Sequence, residues 1–475
     1  MLRSKRLIAL SAAILTAFAA ASCGSSSSET ASASSEDDSF VPTENVEVQT
    51  TEKVDGIPEG ADGELLYMGL DDLNPTKAKK EKSTELTLFE EKGGKISFHQ
   101  TTYFGQYDEL AAAIMSNKDA PDFVDYNWLS FPCHTLKGMN QPIDDIVDFD
   151  DPLWVDVKDD AEQYSLAGKH YVAPLYYEAS AMICYDHSLI ESESLDDPYE
   201  LYLEGEWTQD KWASIMREYV GNAGDSERYG INGFFKPHCI QQTGKTLVNY
   251  DMATNSFSSN LNDPDIESVE NMLYDLNKEG ILSNEWIGSA REAFNGGSLF
   301  YAMGAWGYSG NFSPKEDDDW RVVPIPAYSK DPQKITTSDM TSYMWVKGSK
   351  KNDAMRVWLE CCRLTYTDPD YAETNRKKFM ENNPYWTDEM YDVMMDVTSD
   401  DYYMIYDYCY GLDNTTGDAN AFDGNICLTD VLYKMSSQED DEGVQNTWAQ
   451  IREKYSPTID TTVKEVNDAV KAMIG

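Results

Sequence analysis

The chain has 475 residues, with 84 Asp and Glu against 38 Lys and Arg and a formal net charge of −46. A field of that sign repels polyanions, and no basic stripe interleaved with aromatics overrides it locally, which excludes nucleic acid as a partner. Hydrophobic residues at 41% and aromatics at 12% suffice for a large core, and the body from about Gly63 onward has the length of two or three domains.

Arg3, Lys5 and Arg6 open the chain with positive charge. Leu7 to Phe18 is an apolar run too short to span a membrane comfortably, and Ala20-Ala21-Ser22 sets small side chains before Cys23. The segment resembles a bacterial lipoprotein signal, residues 1–22, with Cys23 lipidated as the first mature residue. Its departure is Ala20, where such signals usually carry leucine, and the alternative is a soluble secreted chain cleaved nearby. Residues 23–62 then carry the lipid and form a tether, since Gly24 to Phe40 is almost all Ser, Ala, Glu, Thr and Asp and cannot bury enough apolar surface to order itself. No later apolar stretch reaches membrane-spanning length.

In the body, Ile96 and Phe98 alternate as a strand. Tyr107 to Lys118 follows as a helix with Leu110, Ala111, Ile114 and Met115 on one face, and Asp122 to Tyr126 closes the unit as a second strand. Helices are predicted at Thr208 to Val220, with Trp212, Ile215, Met216 and Tyr219 inward, and at Pro264 to Lys278, with Asp263 as cap and Pro264 in the first turn. Val322 to Pro326 reads as an edge or terminal strand because of Pro324 and Pro326. Ala354, Val357, Trp358, Cys361 and Cys362 share a helical face, which predicts core thiols. The alternation of helix and strand is α/β, without a repeat of fixed period.

Sequence patterns that would make the chain an enzyme or a metalloprotein fail at specific positions. Gly244-Lys245-Thr246 ends like a phosphate-binding loop, but Cys239 stands where the earlier glycine belongs. Gly307-Tyr308-Ser309-Gly310 is one residue short of a nucleophile elbow. The acidic residues Asp418 and Asp423 are one residue out of register for a calcium loop, and no Glu closes it. His99, His134, His170, His187 and His238 lack metal-ligand spacing. Besides Cys23 there are cysteines at 133, 184, 239, 361, 362, 409 and 427, an odd number with no C-x-x-C. Paired carboxylates carry little information in so acidic a chain, and the runs Asp317-Asp318-Asp319 and Glu439-Asp440-Asp441-Glu442 default to solvated loops. The expectation is no catalytic residue, cofactor or metal.

Several segments have a recognisable order. The run Tyr107 to Val124 is followed by Gln141-Pro-Ile-Asp-Asp, by Gly168-Lys-His-Tyr-Val-Ala-Pro-Leu-Tyr-Tyr and by Glu206-Trp-Thr-Gln-Asp-Lys-Trp. Then come Phe294-Asn-Gly-Gly-Ser-Leu-Phe-Tyr-Ala-Met-Gly-Ala-Trp and Trp320-Arg-Val-Val-Pro-Ile-Pro. Over roughly residues 100 to 365 this resembles family 1 extracellular solute-binding proteins, the maltose-binding type of ABC importer subunit; residues 366 to 450 match poorly. The resemblance implies a two-lobed periplasmic-binding-protein-like fold of type II, with lobe 1 over 63–177, lobe 2 over 178–338, a return to lobe 1 over 339–390, and a C-terminal helical region over 391–475 that belongs mostly to lobe 2. The chain would cross between lobes near Tyr177 to Ser180 and again near Ser338 to Tyr343.

The same resemblance implies the site. Glu178 matches the acidic residue of the first crossing, Trp306 the aromatic after the Ala-Met segment, and Tyr126 or Trp128 the aromatic after the Asp-Phe-Val strand. Asn127 lies between those two, and Asp71 and Asp72 match the polar loop after the first strand. Competing roles stand beside these: core for Trp306, Tyr126 or Trp128, and a hinge salt bridge for Glu178. The implied function is capture of a carbohydrate, probed by aromatics on its C–H face and polar groups at its edge, for delivery to ABC permease subunits. The protein would be a monomer without enzymatic activity, attached to the outer face of the cell membrane through its lipid only. The alternatives are an exported carbohydrate hydrolase with two carboxylates, or the same fold binding a peptide, polyamine or other small organic solute.

Overall fold

Strand Glu64–Gly69 buries Leu65, Tyr67 and Met68 because it is paired on both sides. It runs parallel to Lys95–Gln100 and to Phe123–Asp125, and Tyr343–Trp345 joins Phe123–Asp125 antiparallel at the edge. The computed structural model in which this is seen describes residues 54–474 apart from 78–80, 104, 117, 315–318, 330–333, 337, 400, 419–425 and 440–442. Cys23, the expected signal and nearly all of the expected tether lie outside the described residues.

Helix Gln106–Ser116 connects two of these strands and buries Leu110. Met115, expected on the same face, is instead 87% exposed. At about 100° per residue it stands roughly 140° round the helix from Leu110, outside the narrow stripe that meets the sheet. Helix Asn352–Thr367 covers the sheet with Ala354, Val357, Trp358, Cys361 and Cys362 all buried, so the cysteine pair lies in the core of this first lobe with Phe123 and Trp345.

A second four-stranded sheet has the order Trp320–Pro324, Met182–Asp186, Ser298–Met303, Tyr229–Gly233. Its proline-bearing strand is at the edge, where a missing N–H leaves no ladder bond unmade. Ser298–Met303, in the interior, is buried at all six positions. Helix Gln209–Gly221 packs Trp212, Ile215, Met216 and Tyr219 inward, and its Thr208 hydroxyl accepts from the Lys211 amide. Helix Pro264–Lys278 is capped by Asp263, which accepts from the Asp265 amide.

The two sheets are joined by a ribbon in which Tyr176–Ala179 pairs antiparallel with Ser338–Thr341, setting Glu178 opposite Asp339 and Tyr177 opposite Met340. The segments expected to cross overlap this ribbon at Tyr177 to Ala179 and Ser338 to Thr341, while Tyr343 lies in the first sheet. Beyond it the C-terminal chain is divided in its attachments. Trp386, Met390 and Val393 pack with Tyr308 and Trp320 on the second lobe, so the stretch around the expected boundary at 390 packs as one piece. Tyr406, Tyr408, Tyr410 and Tyr433 share a core with Phe131 and Tyr164 of the first lobe and Ile231 and Phe235 of the second. Helix Trp448–Ile474 closes against Ser256–Ser259. The seven described cysteines are buried free thiols, and no helix among the described residues is long and apolar enough to cross a membrane.

Candidate ligand cleft

Because Glu64–Gly69, Lys95–Gln100 and Phe123–Asp125 run parallel, their carboxyl ends meet along one edge of the first lobe. The loops leaving that edge carry Asp71 and Asp72, Tyr103, and Tyr126 to Trp128. On the second lobe Tyr229–Gly233 and Ser298–Met303 are likewise parallel, and their ends lead into Phe234 and Trp306. Clefts of α/β proteins form where such ends converge.

Asp71 is exposed. Asp72 is engaged locally, its Oδ1 accepting from the Asn74 amide at 2.9 Å and from Asn74 Nδ2 at 2.8 Å. At the end of the third strand, Asp125 accepts from the Tyr67 hydroxyl at 2.5 Å. Burial pushes the Asp125 carboxyl up to about 6, with Asp71 adding repulsion against the lowering effect of Tyr67. Asn127 shapes the following turn, its Oδ1 accepting from the Leu129 amide at 2.9 Å, and the Tyr103 hydroxyl is buried beside it.

Tyr126 and Trp128 go separate ways. The strand ends at Asp125, so the alternation that would put both rings on one side does not extend to them. Tyr126 lies edge-on to Tyr164, with centroids 5.5 Å apart, and burial drives its hydroxyl pKa far up. Trp128, half-buried, meets Tyr410 edge-on at 4.0 Å.

Glu178 is on the ribbon, exposed to water yet enclosed enough by the surrounding protein that lost hydration alone raises its pKa. Trp306 occupies the short turn Ala305–Tyr308, half-buried, with Phe312 edge-on at 6.3 Å. Small residues pack closely around it. A Cβ on Gly304 would meet the Trp306 ring at 3.2 Å and the Ser180 carbonyl at 3.3 Å, and one on Gly307 would meet Met303 Cβ at 2.7 Å. The Gly304 contact sets the Trp306 turn beside Ser180, next to the crossing ribbon. The fold thus gathers Asp71, Asp125 and Asn127 along one lobe's edge, and Glu178 and Trp306 at the ribbon.

A group that sequence reasoning missed borders the first-lobe edge. A cavity of about 90 Å³ is lined by Tyr103, Tyr107 and His134 from that lobe and by Tyr410, Asn414 and Asp418 from the C-terminal segment. The available signal was the tyrosine density between Tyr402 and Tyr410, but nothing in it specified a partner. Among the described residues one group has metal-ligand proximity, His187, Glu191 and Asp319. His187 faces Asp319 at 2.5 Å through Nδ1 and Asp197 at 3.3 Å through Nε2, so both ring nitrogens are already engaged.

Residues 72–362 match the model of the bacterial extracellular solute-binding protein family. The chain belongs to this family. Among solved structures, the galacto-N-biose/lacto-N-biose I-binding protein of an ABC transporter from Bifidobacterium longum, in complex with lacto-N-biose, is similar at 12% identity and a TM-score of 0.58, covering 86% of this chain and 99% of the other. An ABC-transporter-associated binding protein from B. animalis subsp. lactis, with β-1,6-galactobiose, is similar at 15% and 0.54, covering 85% and 98%. A cyclo/maltodextrin-binding protein with maltotetraose is similar at 16% and 0.54, covering 88% and 98%. No curated protein matches the sequence. The two-lobed solute-binding fold follows, and with it an extracellular binding role; the match stops at Cys362, so the C-terminal wall of the cavity lies outside what the family model describes.

Proposed function

We propose that this solute-binding protein captures an oligosaccharide outside the cell and presents it to the permease of an ABC transporter, with no chemistry of its own. The observation that supports this reading is the set of side chains near the ends of the parallel strands in two mixed sheets and on the ribbon between them: the half-buried indoles of Trp306 and Trp128, with Glu178, Asp71, Asp72 and Asn127. A pyranose offers a C–H face to an aromatic and hydroxyls to carboxylates and amides. The lacto-N-biose, β-1,6-galactobiose and maltotetraose complexes of the similar structures support the same ligand class. Tyr126, turned into a tyrosine cluster, shapes this wall from behind.

Closure about the Tyr176–Ala179 and Ser338–Thr341 ribbon would bring the two walls onto the ligand, and the permease would select the closed form that the ligand populates. In a thermal-shift panel of oligosaccharides, polyamines and peptides, a ligand at about 100 times Kd adds roughly 2.7 kcal/mol of stability. The same ligand should lower the radius of gyration in small-angle scattering. Stabilisation by polyamines or peptides alone would replace the carbohydrate reading, and release of reducing ends from a glycan would replace the receptor by a hydrolase.

The acylated Cys23 is the proposed anchor, with residues 23–62 as tether and the chain acting as a monomer. Cys23→Ala should appear in the medium or as uncleaved precursor; a processed mutant that stays with the membrane would refute lipidation there.

A further inference from the structure

The cavity between the first lobe and the C-terminal segment has walls already fixed by other bonds. Asp413 accepts from the Thr416 amide at 2.8 Å through Oδ1 and from the Thr462 hydroxyl at 3.3 Å through Oδ2. The Tyr410 hydroxyl donates to Asp430 at 3.1 Å, and the Tyr107 hydroxyl lies 3.2 Å from that of Ser130. Among the described residues, one histidine of this wall has a ring nitrogen left over. His134 lines the cavity, is 7% exposed, and its buried Nδ1 has no hydrogen-bond partner among the described residues. An unmet buried nitrogen costs stability unless something fills the role.

Chemistry and size narrow what could fill it. Burial, with Lys137 nearby, holds the imidazole pKa down to about 3, so the ring is neutral and offers a donor or acceptor to an uncharged group. Tyr107 lies against that ring with centroids 3.9 Å apart, which makes one wall flat and aromatic. Asp108, Asp413 and Asp418 edge the cavity, no lysine or arginine lines it among the described residues, and the nearby Lys137 is engaged by Asn414 Oδ1 at 2.9 Å, so an anionic group meets net repulsion. At about 10–15 Å³ per water the ≈ 90 Å³ cavity takes roughly six to nine waters, about the room of one sugar ring. It also adjoins the main cleft: Trp128 packs on its Tyr410, and Asn127 sits beside its Tyr103.

We propose that this cavity is a terminal subsite, built by the chain's own C-terminal segment, that takes one uncharged pyranose unit at the end of a glycan seated on Trp128. The subsite rests on the carbohydrate reading above and specifies it by adding length selectivity and rejection of uronic acids. It also gives His134 Nδ1 its partner, a ligand hydroxyl.

The test is titration of the wild type, His134→Leu and Asn414→Trp with ladders of maltooligosaccharides and β-1,6-galacto-oligosaccharides, each also made with a terminal glucuronate. Asn414 is exposed at the cavity mouth, so the Trp variant blocks the space without touching the core and carries the test alone if His134→Leu fails to fold. In the ladder that binds, wild type should prefer the member long enough to enter the cavity over its next shorter homologue by about ten-fold, one added subsite of roughly 1.4 kcal/mol, and should bind the glucuronate-ended form more weakly. Both variants should bring that ratio to about one. A wild type that binds glycans with no length step, or variants that keep it, would overturn the subsite while leaving the receptor reading intact. Binding to no member of either ladder, with a polyamine or peptide stabilising the protein instead, would remove both.

Discussion

The body between Asp72 and Cys362 and the chain beyond it reach the cleft by different physical routes. In the body, binding loops hang from the carboxyl ends of parallel strands, whose positions are set by backbone ladders such as Glu64–Gly69 on Lys95–Gln100. Those ladders tolerate almost any apolar side chain that keeps the alternation. Past Asp396 the chain has only short elements before its last helix, and it is held by side chains: Tyr406 donates to the Trp128 and Phe131 carbonyls at 3.1 and 3.0 Å, and Tyr408 to that of Gln163 at 2.8 Å. Asp407 meets the Tyr433 hydroxyl and lies 3.4 Å from Gln241 Nε2. Architecture carried by ladders survives sequence drift, while architecture carried by particular hydroxyls does not, and the family match covers the first region and stops before the second.

The contrast is sharpest at Gly411, where a Cβ would stand 1.8 Å from the Phe131 carbonyl oxygen and 3.0 Å from that of Trp128. Both are backbone atoms that cannot swing aside. Gly411→Ala is expected to cost about 3 kcal/mol or more, the upper end of overpacking, read by thermal or urea unfolding; a neutral Gly411→Ala would mean the segment is not seated on the first lobe as described.

Asp407 gives a pH signature. Burial raises its carboxyl to about 6 against the bonds from Tyr433, Cys409 and Gln241, so the folded state holds its proton more tightly than the unfolded state does. Its contribution is therefore fully present below about 4 and is lost as pH rises from about 4 to 6, by up to about 3 kcal/mol. Asp407→Asn should flatten that part of the curve of stability against pH relative to wild type; parallel curves for the two proteins would show that Asp407 is not buried in the fold.

On the body side, loss of the proposed stacking surface in Trp306→Ala should weaken glycan binding by roughly ten- to a hundred-fold, about 1.5–3 kcal/mol. The melting temperature without ligand should change little. A strongly destabilised Trp306→Ala would place the indole in the core. The smallest effect is expected from Tyr406→Phe, which removes one hydroxyl proton shared between two carbonyls and leaves the ring, at about 1 kcal/mol. Hydrogen exchange should report it as faster opening of the C-terminal segment with the first sheet unaffected.

Local signals were legible wherever one residue acts through its own backbone neighbourhood. Asp263 caps its helix, and the prolines put Trp320–Pro324 at a sheet edge. Cys361 and Cys362 lie in the core as their helical spacing predicted. Met115 and the end of the strand predicted at Tyr126 were misread because a short pattern does not say where a stripe ends or where a strand stops. The candidate site was legible in part: the residues after the first and third strands and the Trp306 turn follow from motif order, but the partition of Asp72 into a turn and of Tyr126 into a tyrosine cluster did not.

From the sequence alone come the α/β alternation, the acidic field and the order of segments that identifies the family, because each is a property of composition or of residues close along the chain. Only the tertiary structure set Trp306 beside the ribbon through the close approach of Gly304 to Ser180. It alone joined Tyr410 to Trp128, 282 positions apart, and left His134 Nδ1 unmet in a cavity. Those contacts join chain segments far apart in sequence, and which distant partner a side chain meets is decided by how the sheets and the C-terminal segment pack, which no local pattern encodes.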